Sequence, residues 1–573
     1  MSNNKKEEAE LIEIDLKDFL SKNWNKIALA LILFFALYLR IYHIDYPVID
    51  YHNWKEIQHL TPARNFEREG FFKYGFFIQR MGYSTNMYKV QNGVFGDASV
   101  FDTLAIILAI LFKIFGENLI LARFVNILFG LASILLFYLI TKLLTKNEEF
   151  ALLSAAIFSI TPLYVFFSRN IHIINVCLLC MLTSAYLFLR WLYSGKYRYL
   201  LYFSIFFTIG TISTFTFAII LVPLLFLFPV KKEILKLKQN RNVLLVYLIT
   251  FLILLVIPVW TWYNAQMGSY YQGVSATSTA LSAVSLFWKY FFSSNYFAII
   301  YNYMLENYGF VGIVLGLLGI ILLFTVKIKK LSKDFYKFAF GYFLITLLYF
   351  IFVAEKLRAH NYYQYPFAPF LIISLSYFIY LTSVFASKLL KSSISRYFFM
   401  ALFIILYFYG AKPSIDAMFN TQFFGLDVAG EYIKEHSEPW ERLFYSGHQS
   451  FGVLWYADRF GYPIKIPKPK DFEFAEKNNL NVSWLFIYQW GFEVMRYNES
   501  WSYIKNNFHP VQVAFIGKGD KTSLLYLLLK KGGNFNETSL NQKIQEKINR
   551  GEVKIKEYEL TYGKVPMYYI NLE

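Results

Sequence analysis

The sequence predicts a polytopic α-helical membrane protein that carries a C-terminal α/β domain. Only 17% of its 573 residues are charged and 56% are hydrophobic, whereas soluble chains are about 25% charged. Long apolar stretches recur as far as residue 410, and most have the length of about 20 residues that spans a bilayer. Residues 411–573 are more polar and alternate between helical and strand patterns. These observations exclude a soluble multidomain enzyme and a disordered chain.

Two further compositional features narrow the class of protein. Cys177 and Cys180 are the two cysteines, too few for a disulfide framework or for a structural zinc site, which takes about four ligands. Their C-x-x-C spacing lies inside an apolar run and indicates packing in a membrane helix. The net charge of +17 is compatible with nucleic-acid binding or with basic cytoplasmic loops, so the positions of the basic residues decide between them.

We expect about eleven transmembrane spans. The stretch at 199–229 is too long for one span and contains Gly210 and several hydroxyl residues, so we divide it into two short helices. The stretch at 101–116 is short and carries Asp102 and Lys113, which is typical of a helix on the membrane surface. The apolar stretches are 27–44, 101–116, 120–141, 149–167, 172–193, 199–229, 243–262, 308–326, 336–354, 366–387 and 396–410.

The basic residues set the orientation. If 101–116 lies on the surface and the N-terminus is cytoplasmic, all the basic loops fall on the cytoplasmic side, as the positive-inside rule requires. If segment 101–116 instead crosses the membrane, all the basic loops fall on the outer side, against that rule. The membrane loops therefore explain most of the excess of positive charge, and no nucleic-acid partner is expected. The basic loops contain Lys142, Lys146, Arg190, Lys196, Arg198, Lys231, Lys232, Lys236, Lys238, Arg241, Lys327, Lys329, Lys330, Lys333, Lys337, Lys388, Lys391 and Arg396.

This topology predicts an integral plasma-membrane protein in three parts. A cytoplasmic leader (1–26) precedes a transmembrane domain (27–410) with a large first outer loop (45–119). An extracytoplasmic α/β domain (411–573) follows. In that domain VAGEYIKEHS, SFGVLWYADRFGY and WSYIKNNF read as helices, and ERLFYSG, VSWLFIYQWG and VQVAFIG read as strands, an alternation typical of α/β domains.

The first outer loop concentrates the charged residues of a chain that has few. A helix beginning near Asn53 would place His52, Glu56 and His59 at i, i+4 and i+7, on one face. A carboxylate and two imidazoles in this spacing suit general base catalysis or a divalent metal such as Mg, Mn or Zn. Pro62 limits the helix. The alternative is an amphipathic helix whose polar face touches lipid headgroups.

Four stretches of the chain resemble GT-C glycosyltransferases. WKEIQHLTPARNF (54–66) resembles the W-R-Q-A-D-T-x-x-x-A-R-N-F element of one branch and, more distantly, the first-loop elements of the lipid A aminoarabinose transferase and the protein O-mannosyltransferases. LAIILAILFKIFGENLILARFVNILFG (104–130), TPLYVFFSRNIHIIN (161–175) and EKLRAHNYYQYPFAPF (355–370) resemble later elements in the same order. The resemblance covers residues 27 to about 410.

The resemblance implies an inverting transfer of a sugar from a polyprenyl- or dolichyl-phosphate-linked donor at the outer membrane face. The acceptor is a lipid, a glycan or a protein, and an apolar groove among membrane lipids holds the donor tail. No cofactor beyond the divalent metal considered above is implied. A phosphate leaving group needs cations and hydrogen-bond donors beside it. The expected donor-phosphate residues are Lys55, Arg64, Arg169, Lys356, Arg358, His360 and Tyr362.

The sequence departs from the family at its acidic positions. Lys55-Glu56 stands opposite the usual D-E pair, and Gln58 stands opposite the Asp of W-R-Q-A-D. We expect Glu56, and after it Asp50, to be the catalytic carboxylate, assisted by His52 and His59, with Asp97 as a further compensating acid. Two other hypotheses remain open: a lipid transporter or flippase, and a catalytically inactive GT-C scaffold.

Overall fold

The computed structural model describes residues 23–78, 87–89, 101–270, 285–517 and 522–573. The chain forms a helical part that ends at Asn420 and a sheet domain that follows it. The helices of the helical part are α1 (Asn23–Ile41), α2 (Asn53–Glu69), α3 (Thr103–Phe115), α4 (Leu119–Thr145), α5 (Glu148–Ile160), α6 (Pro162–Phe167), α7 (Ile174–Ser194), α8 (Arg198–Ser213), α9 (Leu221–Leu225), α10 (Val230–Gln239), α11 (Arg241–Leu254), α12 (Val256–Tyr270), α13 (Phe287–Phe291), α14 (Tyr296–Thr325), α15 (Lys333–Phe352), α16 (Ala354–Ala359), α17 (Ala368–Leu389) and α18 (Ser393–Asn420).

Eight helical segments among the described residues are long and apolar enough to cross a membrane, or up to nine if a bent pair counts as one span. They are α1, α4, α7, the continuous pair α11–α12, α14, α15, α17 and α18. The count of eleven is therefore not confirmed. Predicted span 149–167 is divided between α5 and α6 at Thr161, which is extended and precedes Pro162, because a proline disfavours the helical conformation of the residue before it.

The stretch at 199–229 is divided near its middle, as predicted, but its parts are too short to count as two spans. α8 has 16 residues and ends where Thr214 becomes extended. The next segment, Phe215–Leu225, meets α10 at an angle of 89°. The apolar composition predicted helices here, but the break after Ser213 and this bend leave none of them long enough to span alone.

α3 is a separate helix of thirteen residues, as expected from its short apolar stretch. The Asp102 side chain caps it by accepting a hydrogen bond from the Ala105 N–H at 3.0 Å. Its buried face (Leu104, Leu108 and Phe112) packs against α2. α3 therefore supports α2 from one side.

The sheet domain begins after Asn420, ten residues beyond the predicted boundary at 410, because α18 continues through Pro413 to Asn420. Its strands form one mixed sheet in the order β2-β1-β3-β5-β4-β7-β6. The elements are α19 (Leu426–His436), β1 (Arg442–Tyr445), α20 (Gly452–Ala457), β2 (Gly461–Pro463), α21 (Pro469–Lys477), β3 (Val482–Tyr488), α22 (Asn498–Asn507), β4 (Phe508–Ile516), β5 (Ser523–Lys531), α23 (Glu537–Asn549), β6 (Lys554–Leu560) and β7 (Gly563–Asn571).

Both faces of the sheet are covered. β2, β1 and β3 are parallel, whereas the remaining pairs are antiparallel. Side chains alternate between the two faces of a strand, and in β3 Leu485 and Ile487 pack with the core beneath α21 and α22. Phe486 and Tyr488 pack with α19 and α20, in a core that continues into the helical part. The predicted α/β domain is thus present, joined to the helices by this shared core.

α20 is the element of the sheet domain that contacts α2. The Tyr456 hydroxyl accepts a hydrogen bond from the Val48 N–H at 2.8 Å. The Asn53 amide at the start of α2 donates to the Gln449 carbonyl at 3.1 Å. α2 is therefore held between α3 and α20, and twelve of its residues are buried.

The crossing of α14 and α17 depends on a glycine. A Cβ atom on Gly319 would lie 1.9 Å from the Ser374 carbonyl oxygen, so the two backbones touch at this point, as in close helix packing at small residues. We expect Gly319→Ala to lower the free energy of unfolding by about 1–3 kcal/mol, the usual cost of overpacking. Thermal unfolding of the purified chain in detergent measures this loss.

Gly316 provides the matched control on the same helix. A Cβ atom there meets nothing within 4 Å, and alanine favours a helix over glycine. Gly316→Ala should therefore leave the unfolding temperature unchanged or slightly raised. Equal destabilisation by both substitutions would contradict the proposed close crossing.

Candidate active site

The start of α2 is shaped by His52. His52 precedes the helix in the left-handed conformation, with φ 61° and ψ 32°. A bulky residue rarely adopts this conformation, and here it turns the chain from the Asp50 segment into α2. The helix then continues through Pro62 to Glu69, so Pro62 does not end it.

A fully buried ion pair joins α2 to α4. Glu56 and Arg123 are both 0% exposed. Arg123 donates from Nε to Glu56 Oε1 at 3.2 Å and from Nη2 to Oε2 at 2.9 Å. Oε1 also accepts the Ile171 N–H at 3.0 Å. Both oxygens of the carboxylate are therefore occupied by protein donors.

A second buried ion pair lies beside the first. Arg169, in the segment between α6 and α7, donates to the Asp50 carboxylate and to the His43 carbonyl at 2.8 Å. Arg123 donates to the His43 and Ile44 carbonyls, each at 3.3 Å. The two arginines thus bind the backbone that links α1 to α2.

The protein shifts the pKa values of the two carboxyl groups in opposite directions. Burial raises the pKa of Asp50, and the Glu56 charge adds to this, while Arg169 opposes it. Burial also acts to raise the pKa of Glu56, but the charge and hydrogen bonds of Arg123 outweigh it and hold that pKa below its usual range. Glu56 is therefore ionised and permanently paired at neutral pH.

Four histidines from three segments meet on another side of α2. We call them, with Trp54, Lys55 and Tyr362, the histidine cluster. Ring centroids are 5.4 Å apart for His59 and His172, and 4.7 Å for His172 and Tyr362. Those of His360 and Tyr362 are 5.1 Å apart, and those of His52 and His360 are 5.5 Å apart. The α2 segment, the α6–α7 segment and the α16–α17 segment therefore converge here.

Lys55 adds a permanent charge to the cluster. Its ammonium lies 4.3 Å from the Trp54 ring centroid and 5.4 Å from that of Tyr362, and it donates to Gln58 Oε1 at 2.7 Å. Burial lowers the pKa of His172 far below its usual range, and the positive charge of Lys55 lowers it further. The cluster is consequently a place that attracts an anion.

Polar side chains fix two of the histidines. His52 Nε2 lies 3.2 Å from Asn361 Oδ1, and the Asn361 amide donates to Glu306 Oε2 at 3.0 Å. His59 Nδ1 lies 2.8 Å from Asp102 Oδ2. The rings are thereby held in defined orientations at the ends of the helices.

Comparisons with known proteins agree with this architecture. The family model of dolichyl-phosphate-mannose-protein mannosyltransferases matches residues 103–262, from α3 into the first half of α12. The crystal structure of ArnT from Cupriavidus metallidurans bound to undecaprenyl phosphate superposes with a TM-score of 0.52 at 9% identity, over 89% of this chain and 98% of that one. The apo structure of the same protein gives 0.52 at 10% identity with the same coverage. At this level of identity the chain shares the overall fold of that structure over most of its length. No curated protein sequence matches it.

The expected phosphate-binding residues separate into groups in this fold. Lys55, His360 and Tyr362 meet in the histidine cluster. Arg169 is paired with Asp50 instead. Lys356 and Arg358 lie in α16, immediately before His360, and the Lys356 ammonium is 3.8 Å from Glu355.

Arg64 has a different role from the predicted one. It donates to both Glu117 oxygens at 2.7 Å, to Asp458 at 2.9 Å and to the Trp455 carbonyl at 3.2 Å. Its guanidinium also stacks 3.5 Å from the Trp455 ring centroid. Arg64 therefore attaches the sheet domain to α2, and its donors are occupied.

The three residues predicted as metal ligands are not brought together. Glu56 faces Arg123, His52 faces Asn361 and His59 faces Asp102. Within the described ranges, no group of three or more His, Cys, Asp or Glu side chains is placed to hold a metal ion. The metal prediction is wrong for these residues, because His52 lies outside the helix and the i, i+4 spacing does not apply to it.

The first predicted catalytic carboxylate needs a similar correction. Glu56 has both oxygens in protein hydrogen bonds, which favours a positioning role, since a general base needs a free oxygen that reaches the substrate. Asp50 pairs with Arg169 through Oδ2, whereas its Oδ1 is buried and has no hydrogen-bond partner among the described residues, so Asp50 stays a candidate. Asp97 lies outside the described residues.

Sequence reasoning missed His172, Asp102 and Glu306 as site residues. Asp102 directly precedes an apolar helix, a position typical of a cap, and His172 lies in the resemblance stretch 161–175. Neither pattern indicates that both side chains contact the His59 ring. Two cavities lie away from the cluster. One of about 1020 Å³ lies between the sheet and α23, and one of about 700 Å³ lies among α1, α5 and α18.

The Glu56–Arg123 pair should be essential for folding. Glu56→Gln leaves the Arg123 charge buried without its counter-ion, and breaking such a pair costs about 3–5 kcal/mol. We expect a large drop in the unfolding temperature of the purified chain, measured in detergent by circular dichroism. A variant with wild-type stability and no activity would instead restore Glu56 as a catalytic carboxylate.

The matched control is an exposed pair in the sheet domain. Lys564 donates to Glu557 at 3.1 Å, and both side chains are more than half exposed. Water already screens this pair. Glu557→Gln should therefore leave the unfolding temperature unchanged.

Proposed function

We propose that the protein transfers a sugar from a polyprenyl-phosphate-linked donor to an acceptor, with the donor phosphate bound at the end of the histidine cluster that holds Lys55, His360 and Tyr362. The observation that carries this proposal is the convergence of the Lys55 ammonium and the His360 ring on Tyr362. Two comparisons support it: the matching family model is named for dolichyl-phosphate-mannose, and one of the similar structures contains undecaprenyl phosphate.

The chemistry of the leaving group explains why cations belong here. A lipid-phosphate sugar is a phosphodiester with one negative charge. When the bond from the anomeric carbon to the phosphate oxygen breaks, the lipid keeps a phosphate monoester with a second charge developing on it. Lys55 and the N–H group of His360 stabilise this charge more in the transition state than in the bound donor, which is how such groups accelerate a reaction.

The ion pairs define the shape of the site. Glu56 and Asp50 hold Arg123 and Arg169, and these arginines hold the backbone between α1 and α2. The Lys55 side of α2 is thereby fixed against the segments that carry His172 and His360. Such preorganisation lowers the reorganisation needed during the reaction. We further propose that the acceptor attacks opposite the phosphate and inverts the anomeric centre.

The direction of the helices supports a site on the extracytoplasmic side. α4 and α7 begin beside the cluster, near Arg123 and His172, and end at loops that contain Lys142 and Lys146 or Lys196 and Arg198. Basic loops remain in the cytoplasm. The cluster and the sheet domain then face the outside, and the N-terminus is cytoplasmic.

Binding of undecaprenyl phosphate to the purified chain tests the site. Lys55→Met removes one charge-assisted hydrogen bond, worth about 1.5–3 kcal/mol. The dissociation constant should therefore rise at least about tenfold. Microscale thermophoresis or ligand-induced thermal stabilisation in detergent measures this change.

Lys73→Met is the matched control, because it removes the same charge from the segment after α2. Lys73 is exposed and bonds to Glu69 at 3.1 Å, so binding should be unaffected. An equal loss of affinity in Lys55→Met and Lys73→Met would show that only the net charge matters. It would contradict the proposed phosphate site. If the wild type binds undecaprenyl phosphate tightly but consumes no polyprenyl-phosphate sugar, the hypothesis of a catalytically inactive scaffold is favoured.

A further inference from the structure

We propose that His59 accepts the proton of the attacking hydroxyl group and that Asp102 is its positioning residue. This inference rests on the proposed glycosyl transfer and assigns the proton acceptor of that reaction. It replaces the predicted carboxylate base by an imidazole that a carboxylate orients.

The tautomer of His59 follows from its contact with Asp102. His59 Nδ1 lies 2.8 Å from Asp102 Oδ2, and the His59 side chain is 4% exposed. An ionised carboxylate only accepts hydrogen bonds, so Nδ1 carries the proton. The lone pair of the neutral ring is then on Nε2, the atom that a general base uses.

Asp102 is itself held firmly. Its other oxygen, Oδ1, accepts the Ala105 N–H at 3.0 Å and caps α3. One carboxylate thus serves a helix end with one oxygen and the imidazole with the other. Because α3 packs on α2, the ring cannot turn without disturbing that contact between the helices.

His59 Nε2 is buried and has no hydrogen-bond partner among the described residues. His172, whose ring is 5.4 Å away, has an unpartnered buried Nε2 as well within the same ranges. A buried polar atom without a partner is costly. Two such atoms side by side point to a missing ligand with hydroxyl groups, which is the chemistry of an acceptor or of the sugar.

The groups around His59 suit a transient imidazolium. Lys55 lies one turn earlier on the same helix, His172 faces the ring from the α6–α7 segment, and Asp102 faces it from α3. The Asp102 charge stabilises the imidazolium once the proton has arrived, as a carboxylate does for a catalytic histidine.

The reaction step is balanced. The acceptor oxygen forms a bond to the anomeric carbon as its proton moves to His59 Nε2. The bond from the anomeric carbon to the phosphate oxygen breaks, and its electron pair remains on the polyprenyl phosphate. The imidazolium then releases the proton to water, which restores the neutral ring.

His59→Ala tests the catalytic role in the full-length chain. The probes are radiolabelled undecaprenyl-phosphate hexose and pentose, with release of undecaprenyl phosphate measured in membranes that contain the chain. Loss of a general base lowers turnover about 100-fold or more. Affinity for undecaprenyl phosphate should stay within about twofold, and added imidazole should restore part of the turnover.

Asp102→Asn separates positioning from folding. Asparagine caps a helix as well as aspartate does, so α3 should persist. Turnover should fall while the KM for the donor stays the same, and imidazole should not restore it, since the ring is still present. His436→Ala in the sheet domain, where the ring bonds to the Tyr432 carbonyl at 2.8 Å, should change neither turnover nor the response to imidazole.

The outcomes separate the two proposals. A wild type that neither binds undecaprenyl phosphate nor releases it contradicts the proposed function. If the wild type binds undecaprenyl phosphate and His59→Ala turns over as fast as the wild type, only the role of His59 as proton acceptor is contradicted. That role is also contradicted if His59→Ala loses binding of undecaprenyl phosphate and turnover to the same extent. If His59→Ala does not fold, His59→Gln replaces it, because glutamine has a side-chain volume close to that of histidine. The turnover of His59→Gln then tests the proton acceptor in the same way.

Discussion

The buried ion pair between Glu56 and Arg123 is the interaction on which the arrangement of the site depends. Two charges inside a protein are tolerated only when each has a partner and its remaining hydrogen bonds are satisfied. Here Glu56 is met by Arg123 and by the Ile171 N–H, while Arg123 reaches the carbonyls before α2. α2 consequently has one position relative to α4 and the α6–α7 segment. Every distance in the histidine cluster follows from that position.

The same helix makes three different kinds of contact around its circumference. Glu56 faces the arginine, the side with Lys55 and His59 faces the other histidines, and Arg64 faces the sheet domain through Asp458. One short helix therefore connects the membrane helices, the proposed phosphate site and the sheet domain. Movement of the sheet domain would reach the cluster through Arg64, because its guanidinium bonds to α20 and to Glu117 simultaneously.

Much of the fold could be predicted from the sequence. The apolar stretches locate α1, α4, α7, α11–α12, α14, α15, α17 and α18, and alternation in the tail locates β1, β3 and β4. Strands β2 and β5 to β7 were missed. β2 overlaps the end of the predicted helix SFGVLWYADRFGY, and β5 reads SLLYLLLKK, which has the leucine content of a helix. Its strand form depends on pairing with β3 and β4 on either side. The break at Thr161 and the bend after Leu225 were missed, because an apolar stretch does not show where a helix is interrupted within it.

The sequence by itself determined the fold class, the membrane helices and the concentration of reactive residues between Asp50 and Glu67. Only the tertiary structure decided what each of those residues does. Periodicity shows which residues share a face of α2, but a lone helix does not specify what packs on that face. Glu56 became a structural ion-pair partner because α4 brings Arg123 to it, and His59 became the candidate base because the cap of α3 brings Asp102 to it. Those partners are 67 and 43 residues away along the chain, so their contacts exist only after the helices have packed.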